Sequence, residues 1–284
     1  MYESFAKENI EVEITLAAGN SGEGDTKSIH GLACECTITK PGLPEKGRAE
    51  LKIWGLPYAD LAQLTTLAFE PMESEKNLIS ISAGEEGGEM SRVFAGEIAS
   101  AWADFNSAPD VCLSASAESG FYPQRISAPP MSVNGEAPAA DLISALAAEM
   151  GYSFLNRGVS ASVKNAHYQG SPLEKSLAIA REIGAELIID DNEVVLIPKG
   201  GTRSDEAPLL SADTGLIGYP TFDQNGIVCR CLFRKDLELA GRIKIETIVP
   251  KASGTWKVTK LSYFLSSHQP QGGPWECQLE GQSV

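Results

Sequence analysis

The sequence predicts a mainly β fold in which two similar β segments flank a small α+β domain. Short alternations of apolar and polar residues, separated by Gly- and Pro-rich turns, occupy residues 1–126 and return in residues 200–284. Such alternation is typical of half-buried strands in a small barrel or sandwich. Residues 127–199 instead contain two helices with recognisable start and stop signals. A length of 284 residues also suits two or three domains better than one.

The first β segment, residues 1–126, contains six predicted strands and one short helix. The clearest strand, IEVEITLA, alternates apolar and acidic side chains from Ile10 onwards. In the helix, Leu61 and Leu64 are spaced to share one face. The strands are predicted at residues 10–17, 32–39, 48–56, 78–83, 91–104 and 111–117, and the helix at residues 58–67.

The middle domain, residues 127–199, is predicted to be a separate unit of order α-β-β-α-β-β. A Pro-rich linker is predicted at residues 125–131. The first helix is predicted to begin near Pro138, at its first position, and to end at Gly151. The second begins with a capping box of Ser171 and Glu174. Its short strands are predicted at residues 152–155, 159–163, 186–190 and 194–198.

The last β segment follows a polar linker at residues 199–207. Its strands are predicted at residues 226–233, 242–248, 255–262 and 275–279. The run CRCLFRKDLEL in this segment echoes CECTITKPGL in the first, because each pairs Cys-x-Cys with a nearby lysine. If the echo reflects common descent, one β domain is used twice.

The formal charge of -15 is unevenly distributed. Residues 1–126 hold 20 acidic and 9 basic side chains, whereas residues 200–284 hold 9 of each. Tight DNA binding is therefore not expected, because it needs cations that displace counterions from phosphates. The N-terminal run MYESFAKENIEVEITL lacks the basic and apolar regions of a secretory signal, and no apolar stretch is long enough to span a bilayer. We expect folding in a cytoplasm.

The six cysteines include two Cys-x-Cys pairs, Cys34 with Cys36 and Cys229 with Cys231, that lie in predicted strands. Positions i and i+2 of a strand face the same side, which favours buried thiols that act as small apolar residues. A four-thiolate zinc site that joins the pairs is the alternative, although structural zinc usually uses wider spacings within loops. We expect reduced, metal-free thiols.

No arrangement typical of catalysis emerges, and we predict no catalytic, cofactor-binding or metal-binding residues. The three histidines, His30, His167 and His268, lack a metal-ligand partner two or four positions away, and each is predicted to lie at the surface. No nucleophile elbow or phosphate-binding loop occurs. Asp190 and Asp191 mark a hairpin tip, where aspartate is a common turn former rather than half of a catalytic pair. The Gly-rich acidic run at residues 85–89 lacks the ligand spacing of a calcium loop.

The ordered set of runs RAELKIWGL, LISISAG, VFAGEIASAWADF and VCLSASAESG resembles the first barrel of phage baseplate hub proteins of contractile, Mu-like tails. The middle domain resembles the insert of the same family and also small N-terminal modules of secretins. The run GTWKVTKLSYFLSSHQPQGGPWECQLEG resembles the second barrel. The sequence departs from the family at Lys235–Asp236, where relatives often have Asn-Pro.

The resemblance implies a structural role in a virion tail. It implies two tube-type β-barrels per chain and a homotrimeric ring of six barrels around an open channel. The implied partners are the tail tube or distal tail protein, the central spike protein and, as a further candidate, the tape measure protein. DNA would pass through the lumen without specific binding, and an acidic lumen would repel it. The interface would use aromatics of the β segments, such as Trp54 or Trp256.

Two other functions remain open at this point. Four tryptophans, all in the β segments, are compatible with a carbohydrate- or receptor-binding β module. A tail-associated lytic enzyme is the other alternative, and the absence of a nucleophile-base pair argues against it.

Overall fold

The computed structural model describes residues 7–16, 26–42, 45–65, 77–106, 108–121, 123, 128–224 and 226–284. In the first β segment, one helix, α1 (Tyr58–Thr65), lies between two groups of strands. The strands are β1 (Glu8–Thr15), β2 (Thr26–Ile29), β3 (Cys34–Pro41), β4 (Arg48–Trp54), β5 (Leu78–Glu85), β6 (Ser91–Asp104) and β7 (Cys112–Glu118).

The middle domain contains α2 (Ala139–Met150) and α3 (Pro172–Glu182). Its strands are β8 (Met131–Ser132), β9 (Glu136–Pro138), β10 (Ser153–Asn156), β11 (Ser162–Lys164), β12 (His167–Tyr168), β13 (Ala185–Asp190) and β14 (Glu193–Pro198). The last segment contains β15 (Leu209–Leu210), β16 (Leu216–Phe222), β17 (Ile227–Leu232), β18 (Arg242–Ile245), β19 (Gly254–Ser267) and β20 (Trp275–Ser283), with a 3-10 turn at Ala212–Thr214. No helix in the described ranges is long and apolar enough to cross a membrane.

The two β segments share one 13-stranded sheet. Its main path runs β16-β17-β20-β19-β3-β4-β7-β6-β5-β1-β2. Beside this path, β18 pairs with the first four residues of β19, and β15 pairs with β18. All its pairings are antiparallel except that of β15 with β18. The mainly β prediction is therefore confirmed, but the described strands form an open sheet and no closed barrel. One apolar core, which includes Ile38 and Leu261, extends through both segments.

The same strand order occurs twice within this sheet. In the first segment the order is β3-β4-β7-β6-β5-β1, and in the last it is β16-β17-β20-β19-β18-β15. In each half a 14-residue strand, β6 or β19, bends at a bulge and changes its neighbours along its length. Among the described residues, α1 and β2 occur in the first half alone and the 3-10 turn in the last half alone, and β15 pairs in parallel whereas β1 pairs antiparallel.

The hydrogen-bonded register aligns the two halves residue by residue. One row of paired residues runs Ile38, Ala49, Ala117 and Ile98, and the matching row runs Phe222, Ile227, Gly281 and Val258. Each row ends immediately before the bulge of its long strand. The amide N–H that ends each row donates to a loop carbonyl, from Ile98 to Asn77 and from Val258 to Gly241, both at 2.9 Å.

The Cys-x-Cys echo does not mark equivalent strands. Cys34 and Cys36 lie on β3, whereas Cys229 and Cys231 lie on β17, which corresponds to β4. The echo is therefore wrong as an alignment, although a strand order is repeated in the two halves. Strand-like sequences with small buried residues at alternate positions resemble one another without sharing a place in a sheet.

The middle domain has its own apolar core, between α2, α3 and the mixed sheet β10-β14-β13. Both predicted helices and the β13–β14 hairpin are present, but three strands, β10, β11 and β12, lie between the helices instead of the predicted two, and the short strands β8 and β9 precede α2. Ser171 and Glu174 form the predicted capping box, and Gly151 adopts φ 79° after α2. Pro138 is the N-cap of α2 rather than its first residue, because it also ends β9. Residues 125–127 of the predicted linker lie outside the described residues, as do residues 66 and 67 of the predicted first helix.

Candidate assembly surfaces

The middle domain is joined to the sheet by a buried ion-pair network at the β13–β14 hairpin. The Lys40 ammonium of β3 lies 2.7 Å from the Asp190 carboxylate and 3.0 Å from that of Asp191. Arg203 binds Asp190 from the other side and also contacts Glu193 at 2.6 Å. Lys40 and Asp190 are both almost fully buried. The predicted turn at this hairpin is correct, and Asp191 adopts φ 53°, but the two carboxylates serve as an anchor that the sequence did not indicate.

The pKa values of this network follow from its geometry. Burial alone would lower the pKa of Lys40, but the Asp190 and Asp191 carboxylates outweigh it and raise the pKa. Burial alone would raise the pKa of Asp190, but Lys40 and Arg203 hold it below its usual value. Lys40 and Asp190 therefore stay charged near neutral pH, and neither is poised to exchange protons as a general acid or base.

A second polar contact joins the middle domain to β6. Glu97 is 1% exposed and accepts a hydrogen bond of 2.9 Å from the Tyr152 hydroxyl. Its other oxygen accepts from the Phe121 N–H at 3.0 Å, and the Tyr152 oxygen accepts from the Gly120 N–H at 3.0 Å. Burial, and then the Glu97 charge, raise the pKa of Tyr152 far above its usual value. A third contact is the ion pair of Lys257 with Glu186, at 2.5 Å.

The histidines and cysteines do not form a reactive group in the described ranges. His30, His167 and His268 are all exposed, as predicted. All six cysteines are buried free thiols. Burial raises the pKa of both Cys34 and Cys229 to about 12, so these thiols stay protonated at neutral pH. No cluster of three or more His, Cys, Asp or Glu side chains that could hold a metal ion occurs among the described residues.

The surface features that stand out are exposed apolar side chains at two places in the sheet. Strand β16 carries Ile217, Tyr219 and Phe222, of which Tyr219 is 65% and Phe222 51% exposed. The end of β6 carries Trp102 and Phe105, at 42% and 55% exposed. Exposed apolar groups of this kind mark binding surfaces when they are contiguous. Sequence reasoning missed β16, because Gly218 and Pro220 interrupt LIGYPTF and obscure its strand character.

The two tryptophans that the sequence suggested for the interface, Trp54 and Trp256, are less exposed than Trp102. Trp256 packs against the core, and its ring N–H donates to the Ala252 carbonyl at 2.9 Å. Trp54 is half-buried on β4. Trp102 is the more exposed tryptophan, so the aromatic surface lies on a different strand from the two suggested.

The described residues thus form a duplicated sheet with exposed apolar edges, and their buried polar clusters anchor the middle domain, as is typical of structural assembly proteins. The family profile described as "Baseplate hub gp41" matches residues 10–271. The chain belongs to this baseplate hub family and is a structural component of a phage tail baseplate. No curated protein sequence matches it significantly.

Solved structures of tail proteins share this fold. A tail protein from Neisseria meningitidis MC58 aligns with a TM-score of 0.65 at 13% identity, covering 97% of this chain and 96% of that chain. The 43 kDa tail protein of prophage MuSo2 from Shewanella oneidensis aligns with a TM-score of 0.63 at 12% identity, covering 98% of each chain. The E. coli c3393 protein, described as a type VI secretion component similar to the T4 tail proteins gp27 and gp5, aligns with a TM-score of 0.57 at 8% identity, over 89% of this chain and 74% of that chain.

Proposed function

We propose that three copies of this chain form a closed ring that joins the tail tube to the central spike and lets DNA pass through its centre. The observation that carries the proposal is the repeated strand order: two equivalent β halves per chain give six equivalent positions in a trimer. A head-to-tail contact between unlike halves must close on itself or grow into a filament, and three chains of two halves give a closed solution. The description of the c3393 protein supports a place beside a spike, since it compares that protein with gp27 and gp5.

The channel wall is proposed to be the outer face of the sheet strands that run from β16 to β6. On this face Glu35 lies opposite Lys52, and Glu50 lies between Thr37 and Ser116. Carboxylates and hydroxyls interleaved with single cations offer few contacts to phosphates, so DNA would slide past without being retained. The proposed wall is therefore mixed in charge, unlike the acidic lumen that the resemblance implied.

The middle domain is proposed to lie beside the ring and outside the channel. Its contacts to the sheet are made by Lys40 near the end of β3, Lys257 near the start of β19, and Ala95 and Glu97 in the middle of β6. Glu35 and Glu50, on the outer face, remain exposed beside these contacts. Its separate core agrees with an independently folding unit. Assembly in the host cytoplasm and contact with the tape measure protein are parts of the same proposal.

The test is the native mass of the purified chain, alone and mixed with the tube and spike proteins from the same tail. A mass of three chains, and threefold particles with an open centre in electron micrographs, is the expected result. A chain that stays monomeric in every mixture, or one that binds glycans as a monomer, would contradict the ring. In the assembled ring, Glu35→Lys with Glu50→Lys should create salt-sensitive DNA retention that wild type lacks, with Glu206→Lys with Asp213→Lys as a surface control.

A further inference from the structure

Two of the six buried cysteines lie directly opposite each other on neighbouring strands. Cys231 of β17 is paired with Cys277 of β20 in the antiparallel register, and both side chains are 0% exposed. Two positions further along the same strands, the Phe233 N–H donates to the Trp275 carbonyl at 3.1 Å. Because hydrogen-bonded and non-hydrogen-bonded pairs alternate, the two cysteines form a hydrogen-bonded pair, whose Cα atoms are typically about 5.5 Å apart. That separation is within the range of a disulfide.

The other four cysteines lack this arrangement in the part of the chain that the structure describes. Cys34 and Cys36 follow each other on one face of β3, and their register partners on β4 and β19 are not cysteines. Cys229 lies two residues before Cys231 and is paired with a leucine of β20. Cys112 of β7 faces no cysteine on either neighbouring strand. Although the cysteines form no reactive group with the histidines, the register thus singles out one pair of thiols.

The surroundings of this pair make Cys231 the more reactive of the two thiols. A side-chain hydrogen bond joins their sulfur atoms. The bond from Cys277 lowers the pKa of Cys231 despite its burial, and the Arg234 guanidinium acts in the same direction. The Asp236 and Glu276 carboxylates oppose this shift but do not reverse it. Burial, and then the neighbouring Cys231, raise the pKa of Cys277 well above its usual value, so Cys277 keeps its proton.

The position of the pair allows a small oxidant to reach it. Among the described strands only β16 lies outside β17, and it places Leu216 opposite Cys231. The ladder between β16 and β17 shifts its register after Ile217. An edge strand with a broken ladder opens locally more readily than the centre of a sheet, and such an opening exposes the Cys231 thiol.

We infer that Cys231 and Cys277 form a reversible disulfide when the protein meets a peroxide. The inference goes beyond the ring proposed above and does not depend on it. In a reducing cytoplasm the pair stays a dithiol, whereas a phage particle outside the cell meets conditions in which disulfides persist. The bond joins β17 to β20 and closes a loop that contains β18 and β19. A cross-link over so long a segment restricts the unfolded chain, so the oxidised form should resist unfolding.

The reaction has two steps. The Cys231 thiolate attacks one oxygen of the peroxide, the O–O bond breaks and hydroxide leaves, so that Cys231 carries a sulfenic acid. The Cys277 sulfur then attacks the Cys231 sulfur, the S–O bond breaks, and the departing oxygen takes the Cys277 proton and leaves as water. In total, two thiols lose two electrons and two protons, and one hydrogen peroxide becomes two waters.

The register also makes the bond reversible. Side chains of a hydrogen-bonded pair lie farther apart than those of a non-hydrogen-bonded pair, so the two strands must shift slightly to let the sulfur atoms join. A disulfide formed under strain is more easily reduced than a relaxed one. A small thiol should therefore reopen it without unfolding the chain.

Thiol counting with peptide mapping tests the bond. The folded full-length chain is treated with hydrogen peroxide, then unfolded, alkylated and digested. Two of the six thiols should be lost, and a peptide pair joined through Cys231 and Cys277 should appear. Dithiothreitol added to the folded chain should restore all six. The product should run as a single chain on a non-reducing gel, because the link is internal.

Serine variants test the roles of the two thiols. In Cys277→Ser, Cys231 should stop at the sulfenic acid, which dimedone traps, whereas Cys231→Ser should leave Cys277 unmodified. Cys229→Ser removes a buried thiol of the same strand and is the matched control, so it should form the disulfide as fast as wild type. Oxidation should raise the melting temperature of wild type and of Cys229→Ser but not that of Cys277→Ser. Circular dichroism checks the fold of each variant, and the mapping of wild type decides the bond even where a variant does not fold.

The contrary outcomes are specific. Six free thiols after peroxide treatment of wild type, or a link between any other two cysteines, would overturn the inference. Loss of the disulfide in a folded Cys229→Ser chain would do the same. None of these results bears on the ring, which is tested by native mass.

Discussion

Strands β3 and β16 hold the same place in the two halves of the sheet but have opposite surroundings. Ile38 of β3 is fully buried, because β19 covers the edge of its strand, whereas the equivalent Phe222 of β16 is half exposed. Both strands are apolar enough to pair on both sides. The comparison teaches that burial in this fold depends on the neighbour beyond the edge rather than on the strand itself: β3 has such a neighbour, whereas β16 pairs only with β17 among the described strands.

The largest effect is expected from lysine at the covered position. Ile38→Lys places an unpaired charge in the shared core and should cost more than about 4 kcal/mol, enough to prevent folding. Circular dichroism and thermal melting of the purified variant measure it. A variant that melts within a few degrees of wild type would mean that β3 is not covered by β19.

Loss of the buried anchor should have the next largest effect. Lys40→Met leaves Asp190 with Arg203 alone and should destabilise the chain by about 3 kcal/mol, since breaking a buried ion pair strands a charge. Chemical denaturation gives the value. Lys52→Met, on the exposed face of β4, is the control and should change stability by less than about 0.5 kcal/mol.

The same anchor predicts a pH dependence. The folded pKa of Asp190 lies below its unfolded value, so its contribution is present above that unfolded value, about 3.9, and is lost as pH falls through the folded pKa. The stability gap between wild type and Lys40→Met should therefore narrow as pH falls below about 4. Denaturation curves at several pH values test this, and a gap that stays constant would show that Asp190 is not the group involved.

A smaller effect is expected where the middle domain meets β6. Tyr152→Phe removes one hydrogen bond from the buried Glu97 and should cost about 1–3 kcal/mol. Tyr168→Phe removes the hydroxyl that binds Glu182 inside the middle domain at 2.7 Å, and it should cost less because Glu182 is exposed to water. Equal losses would indicate that the Glu97 contact is no more buried in solution than the Glu182 contact.

The smallest effect on the isolated chain is expected at the open position. Phe222→Lys should change the free energy of unfolding by no more than about 0.5 kcal/mol, because its side chain already meets water. Melting of the monomer checks this against Ile38→Lys at the equivalent place. A large loss would mean that β16 is covered within one chain, and the comparison of the two strands would fail.

Much of the local structure was predictable from particular residues. The alternation that begins at Ile10, the full extent of β6, and the capping of α3 by Ser171 are properties of short segments, and each is confirmed. The surface position of the histidines was also predictable. These features depend on which face of a segment is apolar and on which side chains satisfy a helix end, and both are written in neighbouring residues.

The sequence by itself determined the mainly β class, the capped helices of the middle domain and the burial of the thiols. Only the tertiary structure decided that β3 pairs with β19, that Lys40 meets Asp190 across 150 residues, and that β16 is a strand at all. An alternating pattern reports that one face of a strand is buried, but it carries no information about which strand lies alongside. β16 shows no regular alternation, because only Pro220 is buried and most of its other side chains are exposed.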